Sequence, residues 1–131
     1  MQTDSLREQF RRTVAAEIDV MSEGGDRFRV FTPFTFDDGD HLAIVLKRIG
    51  NQWLLSDEGH TYMHLSYELD EKSLREGTRQ KSISNALSLF DVSDNDGELV
   101  RSVRGEEFGN ALYSYVQALL KITDVTLLSH A

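Results

Sequence analysis

Leu6, Phe10, Val14 and Ile18 recur every fourth residue near the start of the chain, and Met21 continues the row. Apolar residues at that spacing share one face of an α-helix. Ser5-Leu-Arg-Glu8 reads as a capping box, with Ser5 as N-cap and Glu8 reaching back, and Glu23-Gly24-Gly25-Asp26 reads as the helix end. The pattern then changes. RFRVFTPFTF (27–36) is rich in β-branched and aromatic residues, as strands are. Pro33 has no N–H to give to a ladder, so this is an edge strand or two short pieces. HLAIVLKRI (41–49) and QWLLS (52–56) are further strands, and Gly50-Asn51 between them is a two-residue hairpin turn.

Helical spacing returns after residue 60. A helix is expected near Thr61–Leu69 and another from Ser73 to Phe90, with Ser73-Leu-Arg-Glu76 as its capping box and Ile83, Leu87 and Phe90 as its stripe. DNDG (94–97) is a turn between two short strands. In the last helix Phe108, Leu112, Tyr115, Leu119 and Ile122 share a face, ending at Asp124 before a short tail or strand, VTLLSHA. Strands cluster instead of alternating with helices. The expected class is therefore α+β, with an antiparallel sheet of about three to five strands against N-terminal, central and C-terminal helices. Residues 1–131 read as one domain: a helix over 1–24, strands over 27–56, helices over 61–90, a hairpin over 92–103 and a helix over 106–123.

The Gly50-Asn51 turn fixes a register. Pairing Ile49 with Gln52 sets Leu46 opposite Leu55, Ile44 opposite Asp57, and His41 opposite His60. Asp37, Asp38, Asp40, His41, Asp57, Glu58 and His60 then converge at one end of the sheet. The plain reading is turn and cap chemistry: Asp37-Asp38-Gly39-Asp40 as a turn, Asp57 as a cap or an acceptor for the Gly59 and His60 amides. The alternative is a magnesium or manganese site using Asp37, Asp40, His41, Asp57 and His60, with Asp57 and His60 as the candidate catalytic pair of a hydrolase. A nuclease of the acid–acid–lysine type would also want a lysine beside the acids. The register puts Lys47 near Leu54, at the far end.

Other chemistry finds less support. In DVSDNDGELVRS (91–102), setting Gly97 as the calcium-loop glycine puts Val92 and Val103 where ligands are required, so a hairpin is expected there. Ser56, Asp57 and His60 form only a local cluster, and neither G-x-S-x-G nor a phosphate-binding glycine loop is present. Trp53, Phe31, Phe34 and Phe36 could stack bases, but aromatics on strands are more often core.

Composition narrows this further. The 131 residues have a net charge of −8 and no cysteine, which removes disulfides, thiolate nucleophiles and zinc–thiolate sites. Direct nucleic-acid binding rests on neutralising phosphates and does not suit such a chain. Arg7, Arg11 and Arg12 still form a local basic patch on the first helix. The polar N-terminus and the lack of any ~20-residue apolar run point to a cytoplasmic protein without a membrane span.

The acidic turn, the apolar strand, the segment W-L-L-S-D-E-G-H-T and the closing LLKITDVTLL together resemble a bacterial and bacteriophage family of small proteins of unknown function, over about residues 27–129. That resemblance implies a shared fold and a bacterial or mobile-element origin. It implies no activity.

The function expected is a non-enzymatic binding module without a cofactor. Asp37, Asp38, Asp40, Asp57 and Glu58 would dock on the basic surface of another protein, in a narrower form as an inhibitor of a host nucleic-acid-handling defence machine. The alternative is a divalent-metal-dependent hydrolase acting through Asp37, Asp38, Asp40, Asp57 and His60. Leu42, Ile44 and Leu46 alternate with Ala43 and Val45, so both sheet faces are partly covered, which leaves room for a homodimer.

Overall fold

The computed structural model describes residues 2–128. The elements run α1 (Thr3–Ala16), β1 (Asp19–Ser22), β2 (Arg27–Phe31), β3 (Ile44–Ile49), β4 (Gln52–Ser56), α2 (His60–Leu65), α3 (Glu71–Leu74), α4 (Gly77–Leu89), β5 (Ser93–Asn95), β6 (Glu98–Ser102) and α5 (Phe108–Thr123), which runs on into a 3-10 turn (Asp124–Leu127). The last three residues of VTLLSHA lie outside the described residues. The fold is α+β, as its segregated pattern implies, but the sheet has six strands in the order β1-β2-β3-β4-β6-β5, with every neighbouring pair antiparallel.

Cross-strand partners share a face. Val30 pairs with Ile44, Leu46 with Leu55, and Leu55 with Arg101, so Val30, Ile44, Leu55 and Leu99 line one side. On that side they join Leu65, Ile83, Ala86, Tyr115, Leu119 and Ile122 from α2, α4 and α5 in one buried cluster. The opposite side carries Arg27, Arg29, Val45, Lys47, Ser56, Glu98 and Val100, and its chemistry is largely ionic. Buried Arg79 on α4 donates to the Val125 and Leu128 carbonyls and ties the 3-10 turn to the body.

Several elements differ from their sequence patterns. The first helix stops at Ala16, and residues 19–22 form β1 paired to β2. Glu23-Gly24-Gly25-Asp26 therefore closes a hairpin, a role that the same glycines serve as well as a helix end. Because β1 covers its flank, β2 is an inner strand, and Pro33 falls just beyond its end. The Ser5 box does not form: the N-cap is Gln2, with no side-chain bond. The helix expected from Ser73 breaks in two. Gly77 adopts φ +62, a conformation that ends a helix and that residues other than glycine resist. Asp70 caps the first piece by accepting from the Ser73 amide at 2.7 Å. The 94–97 turn is a hairpin as expected, with positive φ at both Asp96 and Gly97.

Tyr115 is fully buried on α5, and its hydroxyl donates to the Leu99 carbonyl at 2.6 Å, linking helix to sheet. Tyr115→Phe is expected to lower stability by about 1–2 kcal/mol. Urea unfolding checks this: the midpoint should fall with the m-value unchanged.

Candidate functional site

The hairpin register is as the turn dictates: Ile49 opposite Gln52, Leu46 opposite Leu55, Val45 opposite Ser56. The ladder then stops. The Asp57 amide donates to the Leu99 carbonyl, so the chain beyond β4 follows β6 instead of β3. His41 bridges to Thr35, not to His60. The seven-residue cluster expected at this end of the sheet is therefore split into three parts.

The first is Asp57, which is only 2% exposed. Its Oδ1 accepts from the Gly59 and Leu99 amides at 2.9 and 3.0 Å, and its Oδ2 from the Thr61 amide at 3.2 Å. One carboxylate thus joins the end of β4, the first turn of α2 and β6. This is the cap expected of it, extended to a third partner 42 residues away. It removes Asp57 from the catalytic, metal and partner-binding candidates, because its oxygens are spent on backbone donors. His60 opens α2 with an exposed side chain, apart from the acids of the 37–40 loop.

The second part lies on the ionic face of the sheet. Arg27 holds Glu58 through two hydrogen bonds of 2.8 and 2.5 Å, and Lys47 Nζ stands 3.3 Å from Glu58 and 2.8 Å from Glu98. Ser56 Oγ donates to Glu98 at 2.5 Å, and Glu23 accepts from both Arg27 and Arg29. Lys47 does pair with Leu54 in the backbone, but its side chain reaches back to the acids, contrary to the sequence reading. Lys47, Glu58 and Glu98 are an acid–acid–lysine set in composition. The charge states argue against acid–base chemistry there. The Arg27 hydrogen bond, aided by Lys47, outweighs burial and lowers Glu58 to about 2. Burial works to lower Lys47, yet its bonds to Glu98 and Glu58 raise it. Lys47 and then Ser56 lower Glu98. Every member is held in its charged form, whereas a general acid or base works best near the operating pH. Ser56 is fully buried and is no nucleophile. Glu58, exposed but paired with Arg27 and Lys47, lies on the ionic sheet face and not with Asp37, Asp38 and Asp40.

The third part is the acidic end. The Phe36 amide donates to the Asp40 carbonyl and the Asp40 amide to Asp38 Oδ1, which closes the turn that the residue types predict. Phe36 stacks on His64 with centroids 3.8 Å apart. His64 Nε2 lies 3.0 Å from Asp38 and Nδ1 3.9 Å from Asp40, while Asp37 accepts from Thr126 Oγ1. One donor atom each from Asp38, Asp40 and His64 falls within 4.8 Å of the others. Of the residues named from sequence for the metal-dependent hydrolase, Asp38 and Asp40 belong to this set, and Asp37 lines the same shallow pocket as Asp38 and His64 without joining it. His64 and Glu98 escaped the sequence reading. His64 sits one helical turn beyond the last residue that the hairpin register reaches, and Glu98 arrives from a strand 40 residues on. The His60–His64 spacing was the one available signal for the former.

Three of the aromatic candidates, Phe34, Phe36 and Trp53, serve packing, while Phe31 is 44% exposed. Trp53 lies between Phe28 and Phe108, at 6.0 and 6.2 Å, and Phe36 is buried. Asp94 accepts from the Gly97 amide inside the β5–β6 turn and faces Arg75, as a hairpin residue would. No helix among the described residues is long and apolar enough to cross a membrane.

A small α+β domain with an ion-paired sheet face and an acidic end that faces a histidine but no Lys or Arg among the described residues is the class that this geometry defines. Residues 32–122, well over half of the chain, match the family described as domain of unknown function DUF1828, and the chain belongs to that family. No curated protein and no solved structure gives a significant match.

Asp57→Ala leaves three amide donors without their acceptor, two of them on residues at the buried junction. It is expected to cost about 3 kcal/mol or more, read from urea unfolding. Glu58 is depressed in the folded state, so it contributes stability above its unfolded pKa near ~4.3 and loses it as the pH falls towards about 2. Across that window Glu58→Gln should lose stability less steeply than the parent chain, measured by chemical unfolding at stepped pH.

Proposed function

We propose that this chain is a non-enzymatic protein-binding module whose acidic end docks on a Lys- and Arg-rich surface. One observation carries the reading. The acids of the ionic sheet face and its turn, Glu23, Asp26, Glu58 and Glu98, all pair with Arg or Lys. Asp37, Asp38 and Asp40 are exposed and, among the described residues, pair with no Lys or Arg. Clustered charge of one sign steers an oppositely charged partner and raises its on-rate. Basic surfaces of this kind are what nucleic-acid-handling proteins present to phosphate. A bacteriophage or mobile-element inhibitor that occupies such a surface is the narrower form of the same reading.

The second reading, a divalent-metal site able to support hydrolysis, has the Asp38–Asp40–His64 grouping in its favour. It rests on a smaller set than the sequence implied, since Asp57 and His60 stand apart.

The test uses Asp37→Asn/Asp38→Asn/Asp40→Asn, which removes the charge and touches no buried residue. A partner captured by the parent chain, purified and titrated back, is expected to bind the variant at least about tenfold more weakly, with the difference shrinking in high salt. Equal affinity for both chains would overturn the binding reading. Calorimetric titration with magnesium, manganese and calcium decides the alternative: micromolar heat that Asp38→Asn or His64→Ala abolishes would favour the metal site.

A further inference from the structure

α1 is a helix without a place to pack. None of its residues is buried, and Leu6, Phe10 and Val14, one turn apart, are 40%, 61% and 55% exposed. Helices of about 12–15 residues are marginal in water unless an apolar face is covered. This one has 14 residues and no side-chain N-cap bond. Its stripe is bordered on one side by Arg7, which also pairs with Asp4 at 3.3 Å, and by Arg11, while Arg12 falls on the opposite face. The helix carries three arginines against Asp4 and Glu8, on a chain whose net charge is −8. The cover it needs is therefore apolar and acidic.

That description fits another surface of this same chain. Asp37, Asp38 and Asp40 lie exposed between Tyr67, whose ring meets the edge of His64, and Leu127, next to Thr126 that bonds Asp37. Tyr67 and Leu127 are each 73% exposed. We propose that α1 is the docking element of a reciprocal homodimer, in which each copy's Leu6-Phe10-Val14 stripe and arginines seat on the acidic end of the other copy. This rests on the reading that the acidic end binds a basic protein surface, and it names that surface.

Topology allows the exchange. α1 leads into β1, whose Asp19 pairs with Phe31, and the chain runs from Phe31 to Asp37 in six residues. Donor helix and acceptor loop thus sit at one end of the sheet, where a twofold axis satisfies both contacts at once. Direct pairing of α1 with its own copy is less suited, since in an antiparallel pair Arg7 and Arg11 would face their equivalents. An anionic membrane or nucleic acid would attract the arginines but be repelled by the acidic body.

The test is sedimentation velocity on the full chain over a concentration series. The parent chain is expected to dimerise, and less so in high salt. Arg7→Glu/Arg11→Glu and Asp38→Lys/Asp40→Lys should each weaken dimerisation at least about tenfold. Mixed one to one, these two variants should pair with each other, because both exchanged contacts then join opposite charges. All four substitutions in one chain should restore the homodimer. None of the four residues is buried, so circular dichroism should report an intact fold. A monomer at every concentration overturns the proposal, as does a dimer indifferent to the loop charges, or α1-dependent binding of anionic vesicles or DNA by a monomer. A monomer that still binds a basic partner through Asp37, Asp38 and Asp40 leaves the binding function standing and removes only the homodimer. A monomer that binds no partner removes both.

Discussion

The Asp57 carboxylate is the interaction on which the rest of this fold depends. A buried carboxylate is costly unless its lone pairs are filled, and here three backbone amides fill them. Those amides belong to the turn after β4, the start of α2 and the start of β6. The group therefore decides where β4 ends, at what angle α2 leaves, and how β6 lies against β4. α5 inherits that placement through Tyr115, whose hydroxyl reaches the carbonyl of Leu99, the same residue whose amide Asp57 holds. The acidic end depends on it as well, because α2 carries His64 to Asp38 and Asp40.

The two faces of the sheet solve burial differently. One side excludes water with aliphatic and aromatic groups from three helices. On the other, among the described residues, Val45 is 1% exposed beside a row of paired long charged side chains, with Arg29 opposite it on β2 and Lys47 two residues on. Stems of Arg and Lys can cover apolar surface while their heads remain paired at the rim. The ion pairs there are partly solvated, so each adds little alone, and their value lies in holding the stems in position.

The class of fold and the hairpin register were legible because both follow from local rules: a period of 3.6 or 2, and a two-residue turn between apolar runs. The functional grouping was not, for a specific reason. Extending the hairpin past Val45 and Ser56 assumed that the ladder continues, and the chain turns away there to satisfy Asp57. Once it turns, His60 rotates away and His64 takes its place beside the acids. Glu98 could not be placed at all, since β6 joins β4 across a sequence gap with no local signal. β1 was hidden because Glu-Gly-Gly-Asp suits a helix end and a hairpin alike. The family match spans residues 32–122, so α1, β1 and β2 lie outside the matched residues although β2 is an inner strand of the same sheet.

Trp53 is the only tryptophan in the chain, and it stands at the turn end of the hairpin, opposite Arg48 and between Phe28 and Phe108. The protein thus contains one tryptophan fluorophore, separable from its four tyrosines by excitation wavelength and seated where β2, β4 and α5 meet. Its emission follows the assembly of that junction and is insulated from events at the opposite end of the sheet. Any spectral change on adding a ligand would mean that the body has rearranged, while a silent spectrum is compatible with occupancy of the acidic end.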